Sequence, residues 1–182
     1  MEEPRTAEKG RRMQRDMLGI YLNDHLAGAT FGIGLARHIA HQHRHSVRGA
    51  DLERLAEEIA QDRAALIDLM GALGIPARRY KIYGGWAAER LSRLKPNGVL
   101  YRRSGLSTLI ELETLRLGVE GKTLVWHALR AVAWEEAHLD ESRLSNLLDR
   151  ARYQRDTLET LRLAAAKAVF SGGARNVTPA SP

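Results

Sequence analysis

Four long stretches of this sequence repeat apolar residues at alternating intervals of three and four, and this spacing constrains the fold most strongly. Such a period places the apolar side chains on one face of an α-helix. The four predicted helices cover roughly residues 12–43, 51–73, 104–136 and 140–171. Ala, Leu and Arg are abundant and aromatic residues make up only 5% of the chain, which also favours helix. The sequence therefore predicts an all-α fold.

The lengths of the connections indicate how the predicted helices are arranged. The links around residues 46–50 and 138–141 are short, whereas the link over residues 74–103 is long and holds an extra short helix near residues 79–93. Two helical hairpins joined by one long crossover is the topology of ferritin-like bundles. The sequence thus predicts a four-helix bundle with ferritin-like topology.

Composition bounds the number of domains and the compartment. A chain of 182 residues suits one domain, which we place at residues 11–170 between flexible tails at residues 1–10 and 171–182. The chain has no cysteine, which excludes disulfides, thiolate catalysis and zinc fingers. Its start lacks the apolar stretch of a signal peptide, and its most apolar segment, residues 18–40, is too polar for a membrane span. We expect a cytoplasmic protein without a membrane partner.

One polar residue interrupts the apolar stripe of each predicted helix. These residues are Asp24, Asp62, Glu113 and Gln154, in chain order. If the helices pack as predicted, the four side chains meet at a similar depth in the core. In the first and third helices the predicted core stripes are Met17, Tyr21, Asp24, Gly28, Phe31 and Leu35, and Leu106, Ile110, Glu113, Leu117, Gly121, Leu124, Ala128 and Ala131.

Carboxylates that are buried together need a cation, a bound proton or hydrogen-bond partners. The functional interpretation is a carboxylate-rich metal site that takes Fe, Mn or Zn. Its candidate ligands are Asp24, His25, Glu58, Asp62, Glu113 and Gln154. Di-iron and di-manganese bundles use two Glu-x-x-His pairs, whereas the single such match here, Glu135 to His138, falls at the end of the third helix. The ligand set is therefore incomplete, or the relic of such a site.

A buried polar network offers a structural interpretation of the same layer. Its charges would be satisfied by Arg63, Lys122, Tyr21 or water, and the network would fix the helix register. The protein would then be a non-catalytic helical module that binds a partner or ligand in a groove between helices. A third hypothesis is a nucleic-acid-associated protein, because the net charge is +6, although the Arg residues are spread through every segment.

Several strings of this sequence resemble a group of small uncharacterised bacterial proteins that look ferritin-like. The strings occupy residues 21–29, 57–63, 85–90, 111–115 and 118–122, and the similarity covers about residues 14–170. The resemblance implies a four-helix bundle and no established activity. As a family signature the strings are fairly specific, but they carry little information about function.

Two further groups of residues support alternative interpretations. His38, His41, His43 and His45 include a possible metal-binding pair four residues apart, but cationic side chains are also favourable near the end of a helix. Gly28, Gly32 and Gly34 lie within a helical pattern and predict close helix approach, or a homodimer contact along the first helix. Gly118 and Gly121 predict a bend in the third helix or a close neighbour. We expect Trp86, Trp126 and Trp134 to be packing anchors.

Overall fold

The computed structural model describes residues 3–78, 105–133 and 138–171, with residues 3–7 and 11 described by their backbone alone. Helix α1 spans Glu3–His43, α2 spans Gly49–Ala72, α3 spans Gly105–Val132 and α4 spans Glu141–Phe170. This part of the chain contains no strand, which confirms the predicted all-α class. None of its helices combines the length and the apolar character needed to cross a membrane.

Two helix ends follow clear local signals, whereas α2 begins at Gly49 after Arg48, which makes no side-chain capping hydrogen bond. The carboxylate of Asp140 caps α4 by accepting a hydrogen bond of 2.8 Å from the Ser142 amide, as its position predicted. Gly74 adopts a φ of 63° directly after α2, a conformation that favours glycine. Helix α1 begins at Glu3 and therefore includes residues 3–10. The polar composition of these residues had predicted a flexible tail.

The predicted crossover helix over residues 79–93 lies outside the described residues, and so do Trp86, Trp134 and Glu135. The same holds for the predicted C-terminal tail beyond Ser171.

The core consists of two apolar clusters, one toward each end of the bundle. The first includes Leu22, Leu26, Leu66, Leu69, Met70, Val125, Trp126, Leu129, Leu144, Leu147, Leu148 and Ala151. The second includes Leu35, Ala36, Ile39, Leu52, Leu55, Ile59, Leu112, Leu115, Val119, Leu158 and Leu161. Each helix contributes to both clusters, so all four helices run along the length of the bundle.

The order in which each helix enters the two clusters gives its direction. Helices α1 and α4 pass from the first cluster to the second, whereas α2 and α3 pass from the second to the first. Helix α1 packs against α2 and α3, and α3 packs against α4, so these neighbours are antiparallel. Helices α2 and α3 are parallel, which means that α2 ends and α3 begins at opposite ends of the bundle.

The apolar stripe predicted from the helical spacing is confirmed on α2, and on α4 as far as Leu161. The last two predicted positions of α4, Ala165 and Ala168, are half-buried and exposed. Every stripe position of α2 is buried, from Leu52 to Leu73, including Asp62. On α4 the stripe is buried from Leu144 through Gln154 to Leu161. Both helices therefore bring their one polar stripe residue into the core.

The predicted stripe of α3 is wrong, and that of α1 is wrong in part. On α1, Leu35 is buried and Tyr21 and Phe31 pack half-buried against the core, but Asp24 and Gly28 are exposed. Leu117 and Leu124 of α3 are 68% and 57% exposed, and Met17 of α1 is 53% exposed. Each of these helices carries a second apolar stripe, and the second one faces the core. It consists of Leu22, Leu26, Ala36 and Ile39 on α1, and of Leu109, Leu112, Leu115, Val119, Trp126 and Leu129 on α3.

This shift of face exchanges Asp24 for Asn23 as the buried polar residue of α1. Asp24 is exposed, whereas Asn23 is 5% exposed. The Asn23 side chain donates to the carbonyl oxygen of Pro76 at 3.2 Å and accepts from the Arg78 amide at 2.8 Å. Asn23 therefore fixes the segment that follows α2 against α1.

We expect Asn23→Ala to lower the free energy of unfolding by about 1–3 kcal/mol, because it leaves backbone groups next to α1 without their partner. The exposed Asn146→Ala on α4 is the matched control, since both substitutions gain the same helix propensity. Denaturant unfolding monitored by circular dichroism measures both. Equal stability of the two variants would contradict the role assigned to Asn23.

Candidate functional site

A layer of polar side chains lies between the two apolar clusters. Helix α2 supplies Asp62 and Glu58, α3 supplies Lys122, and α4 supplies Gln154 and Arg150. Asp62 is 1% exposed and Gln154 is fully buried. Their positions follow from the helical period, which brings the middle of each apolar stripe to the middle of the bundle.

Asp62 is the centre of this layer. Its Oδ2 accepts hydrogen bonds from the Lys122 ammonium and, at 3.1 Å, from the Gln154 amide nitrogen. Its Oδ1 accepts from the Arg150 guanidinium. Two cations and one amide thus surround a carboxylate that has lost nearly all contact with water. A buried ionised group requires such charged and hydrogen-bonding partners.

Gln154 connects the remaining members of the layer. Its Nε2 donates to Glu58 Oε2 at 3.2 Å and to Asp62 Oδ2, while its Oε1 accepts from Lys122. In this orientation the amide nitrogen faces the carboxylates and the amide oxygen faces the ammonium group. The reverse orientation would place the amide oxygen against carboxylate oxygens and the amide N–H groups against the ammonium group. The amide therefore joins two acidic groups that would otherwise repel each other.

The charges of the layer balance within the protein. Glu58 and Asp62 are acidic, and Lys122 and Arg150 are basic. Burial lowers the pKa of Lys122, and the nearby Asp62 carboxylate opposes this shift by favouring the ammonium form. The arrangement provides each carboxylate with hydrogen-bond donors from the chain itself.

The structure brings together three of the six predicted ligands, namely Glu58, Asp62 and Gln154. Glu113 lies away from them, with Oε1 at 3.4 Å from Arg162 Nη1 and a side chain that is 46% exposed. Asp24 is on the exposed side of α1. Within the described residues, no group of three or more His, Asp or Glu side chains is arranged to hold a metal ion.

The sixth predicted ligand, His25, lies beside the layer rather than in it. Its ring packs edge-on against Tyr21, with ring centroids 4.6 Å apart. Burial lowers the pKa of His25, and the charge of Asp24 opposes this shift. Among the other histidines, His38 Nε2 is 3.6 Å from Glu111 Oε1 and His43 Nε2 is 3.4 Å from Thr108 Oγ1.

A cavity of about 560 Å³ adjoins the polar layer between α1, α2 and α3. Most of its lining is apolar, and its polar lining comes from a few side chains. The apolar lining includes Phe31, Ile59, Leu66, Leu115, Leu117, Val119, Val125 and Trp126. The charged or titratable lining residues are His25, Asp62, Arg63 and Lys122.

Glycines on two helices leave the space for this cavity. Gly28 and Gly32 of α1 and Gly118 and Gly121 of α3 line it. A Cβ atom added at any of these four positions would meet no atom within 4 Å outside its own helix turn. The prediction that they permit close helix packing is therefore wrong: these glycines border open space.

Trp126 lies at the border between the cavity and the first apolar cluster. It is 1% exposed, which confirms its predicted role as a packing anchor. Its indole Nε1 is buried and has no hydrogen-bond partner among the described residues. Buried indole N–H groups ordinarily have an acceptor. Trp126 thus brings to the border of the cavity a buried donor that none of the described residues pairs with.

Sequence reasoning missed two members of the site. Arg150 lies four residues before Gln154, one helical turn away, so the i, i+4 spacing on α4 was an available signal. Trp126 belongs to the second apolar stripe of α3, which the choice of the other stripe concealed. Lys122 was named only as a possible partner for the buried charge, and the structure places it in that role.

No protein-family model, curated protein or solved structure matches this chain.

We expect Asp62→Asn to lower the free energy of unfolding by about 2–4 kcal/mol, because it leaves two cations without a carboxylate in the core. The triple variant Asp62→Leu, Lys122→Met, Gln154→Leu removes the charges of Asp62 and Lys122 and the amide of Gln154. It should lose less stability than Asp62→Asn, since it removes the two most buried charges together, and the remaining Glu58 and Arg150 are only partly buried. Urea unfolding measures both values, and an Asp62→Asn variant as stable as wild type would contradict the charge pairing.

The glycines of the cavity provide a second stability test. Gly118→Ala and Gly121→Ala should each raise the free energy of unfolding by about 0.5–1 kcal/mol, because a methyl group fits and alanine favours helix. Gly49→Ala is the opposite control, since its Cβ would lie 2.6 Å from the Arg44 carbonyl oxygen and should destabilise the protein. Thermal unfolding measures the three variants. Destabilisation by both α3 substitutions would show that the space is not open.

Proposed function

We propose that this protein is a four-helix bundle that binds a small, largely apolar molecule in the cavity beside Lys122. The observation that carries the proposal is the cavity of about 560 Å³, bordered by four glycines with open space beyond them. Its volume falls in the range of small-molecule sites, about 300–1,000 Å³. Its mainly apolar lining with a few polar side chains is also typical of such sites.

The cost of keeping this space open supports the proposal. Each glycine within a helix sacrifices about 0.5–1 kcal/mol relative to alanine. A Cβ atom added at Gly28, Gly32, Gly118 or Gly121 would meet no neighbouring atom within 4 Å, so alanine would fit at each position. Glycine at four such positions makes the protein less stable than alanine there would. Lower stability around a functional site is common in proteins.

Metal binding at the polar layer is the other candidate, and the convergence of Glu58, Asp62 and Gln154 favours it. The charge balance favours ligand binding instead. Lys122 and Arg150 already donate to both oxygens of Asp62, and a divalent cation would have to displace them or lie among like charges. Occupation by Fe, Mn or Zn stays a prediction, as do the homodimer and nucleic-acid hypotheses.

We further propose that the bundle has ferritin-like topology. The support is the parallel course of α2 and α3, each flanked by antiparallel neighbours. One long connection is required between helices that end and begin at opposite ends of a bundle, as in ferritin-like folds. In this arrangement the polar layer occupies the middle of the bundle, and the ligand cavity opens beside it.

The proposal is tested with decanol, a neutral apolar probe, by isothermal titration calorimetry. We expect one saturable site on the wild-type protein and at least a tenfold loss of affinity in Gly32→Leu, whose side chain would fill the cavity. Gly34→Leu is the matched control, because Gly34 lies on the same helix, is exposed and is not part of the lining. It should bind decanol like the wild type. Absent binding, or equal binding by Gly32→Leu, would contradict the proposal.

A further inference from the structure

We propose that the molecule bound in this cavity carries a carboxylate at the end of an apolar body, an inference that rests on the proposed function. The donors and cations around the cavity lead to this choice of head group. They belong to α2 and α3 and are part of the cavity lining.

The first observation is the Trp126 indole. Trp126 is 1% exposed, lines the cavity and has an Nε1 without a partner among the described residues. An indole N–H can only donate, so the group that satisfies it must be an acceptor. A carboxylate, a carbonyl or a hydroxyl meets this requirement, whereas an ammonium head does not.

The second observation is the sign of the charge around the cavity. Lys122, Arg63 and Asp62 are its charged lining residues. The Asp62 carboxylate is also bound by Arg150, which does not belong to the lining. Two of the three charged lining residues are cationic and one is anionic, so the lining itself carries an excess positive charge. An anionic head would neutralise that excess, and a cationic head would increase it.

Arg63 is positioned to serve this role. Its Nε donates to Thr30 Oγ1 at 3.0 Å, which fixes the guanidinium of α2 against α1 at the cavity. A guanidinium presents five donors in a planar fork, and this geometry matches a carboxylate. Lys122 contributes in a second way: burial lowers its pKa, and an anion bound nearby would favour its charged form.

The experiment compares three probes with the same chain and different heads, namely decanoate, decanol and decylammonium. Each is titrated into the wild-type protein by calorimetry near neutral pH, below its critical micelle concentration. Decanoate should bind at least tenfold more tightly than decanol, since a hydrogen bond to a charged group contributes about 1.5–3 kcal/mol. Decylammonium should bind at least tenfold more weakly than decanoate. Equal affinities for decanoate and decylammonium would overturn the inference.

Variants assign the preference to individual side chains. Trp126→Phe retains the aromatic volume and removes the N–H, and should weaken both decanoate and decanol. Arg63→Gln, at a half-buried position, should weaken decanoate about tenfold and leave decanol unchanged. Arg54→Gln is the matched control for net charge, because Arg54 pairs with Asp51 and is not part of the cavity lining. It should leave both affinities unchanged.

The outcomes separate the two proposals. Binding of decanol that Gly32→Leu abolishes, together with no preference for decanoate, would retain the apolar cavity and overturn the carboxylate inference. A preference for decanoate that Arg63→Gln and Arg54→Gln lower by the same factor would reduce it to a general charge effect and overturn the assigned site. Failure of all three probes to bind would contradict the proposed function itself. If Trp126→Phe does not fold, Arg63→Gln alone decides the question.

Discussion

The buried carboxylate of Asp62 is the constraint on which the rest of the bundle depends. A charge that is 1% exposed in a core of aliphatic side chains would oppose folding strongly unless it were compensated. Compensation comes from α3 through Lys122 and from α4 through Arg150 and Gln154. One residue of α2 therefore fixes the relative positions of three helices, because a slip of any helix would separate the buried carboxylate from its partners.

The same layer explains why the core is divided and where the cavity lies. Apolar packing continues above and below the level of Asp62, but at that level α1 presents Gly28 and Gly32 instead of a polar partner. Three helices thus satisfy the buried charges, and α1 has glycine, without a side chain, at two of the positions that line the cavity. The result is an apolar space next to an ammonium group and an unpaired indole donor, a combination suited to an amphipathic acid.

How far the sequence could predict this arrangement depended on the number of apolar stripes on each helix. Helices α2 and α4 have one stripe, and the polar residues that interrupt it, Asp62 and Gln154, were correctly placed in the core. Helices α1 and α3 have two, and helical period alone cannot decide which one packs inward. That ambiguity put Asp24 and Glu113 in the predicted layer, whereas Lys122 is the α3 member of the layer and α1 buries Asn23 against the segment after α2. The cavity could not be predicted, since a glycine can mark either close packing or open space.

The metal content of the purified protein tests the central claim, that side chains of the chain itself satisfy the Asp62 carboxylate. The protein would be produced in medium supplemented with iron, manganese and zinc and analysed by inductively coupled plasma mass spectrometry, with Asp62→Asn prepared in parallel. Internal compensation predicts far less than one metal ion per chain in both proteins, because Lys122 and Arg150 occupy the oxygens that a metal would need. Near-stoichiometric metal in the wild-type protein that is lost in Asp62→Asn would contradict it.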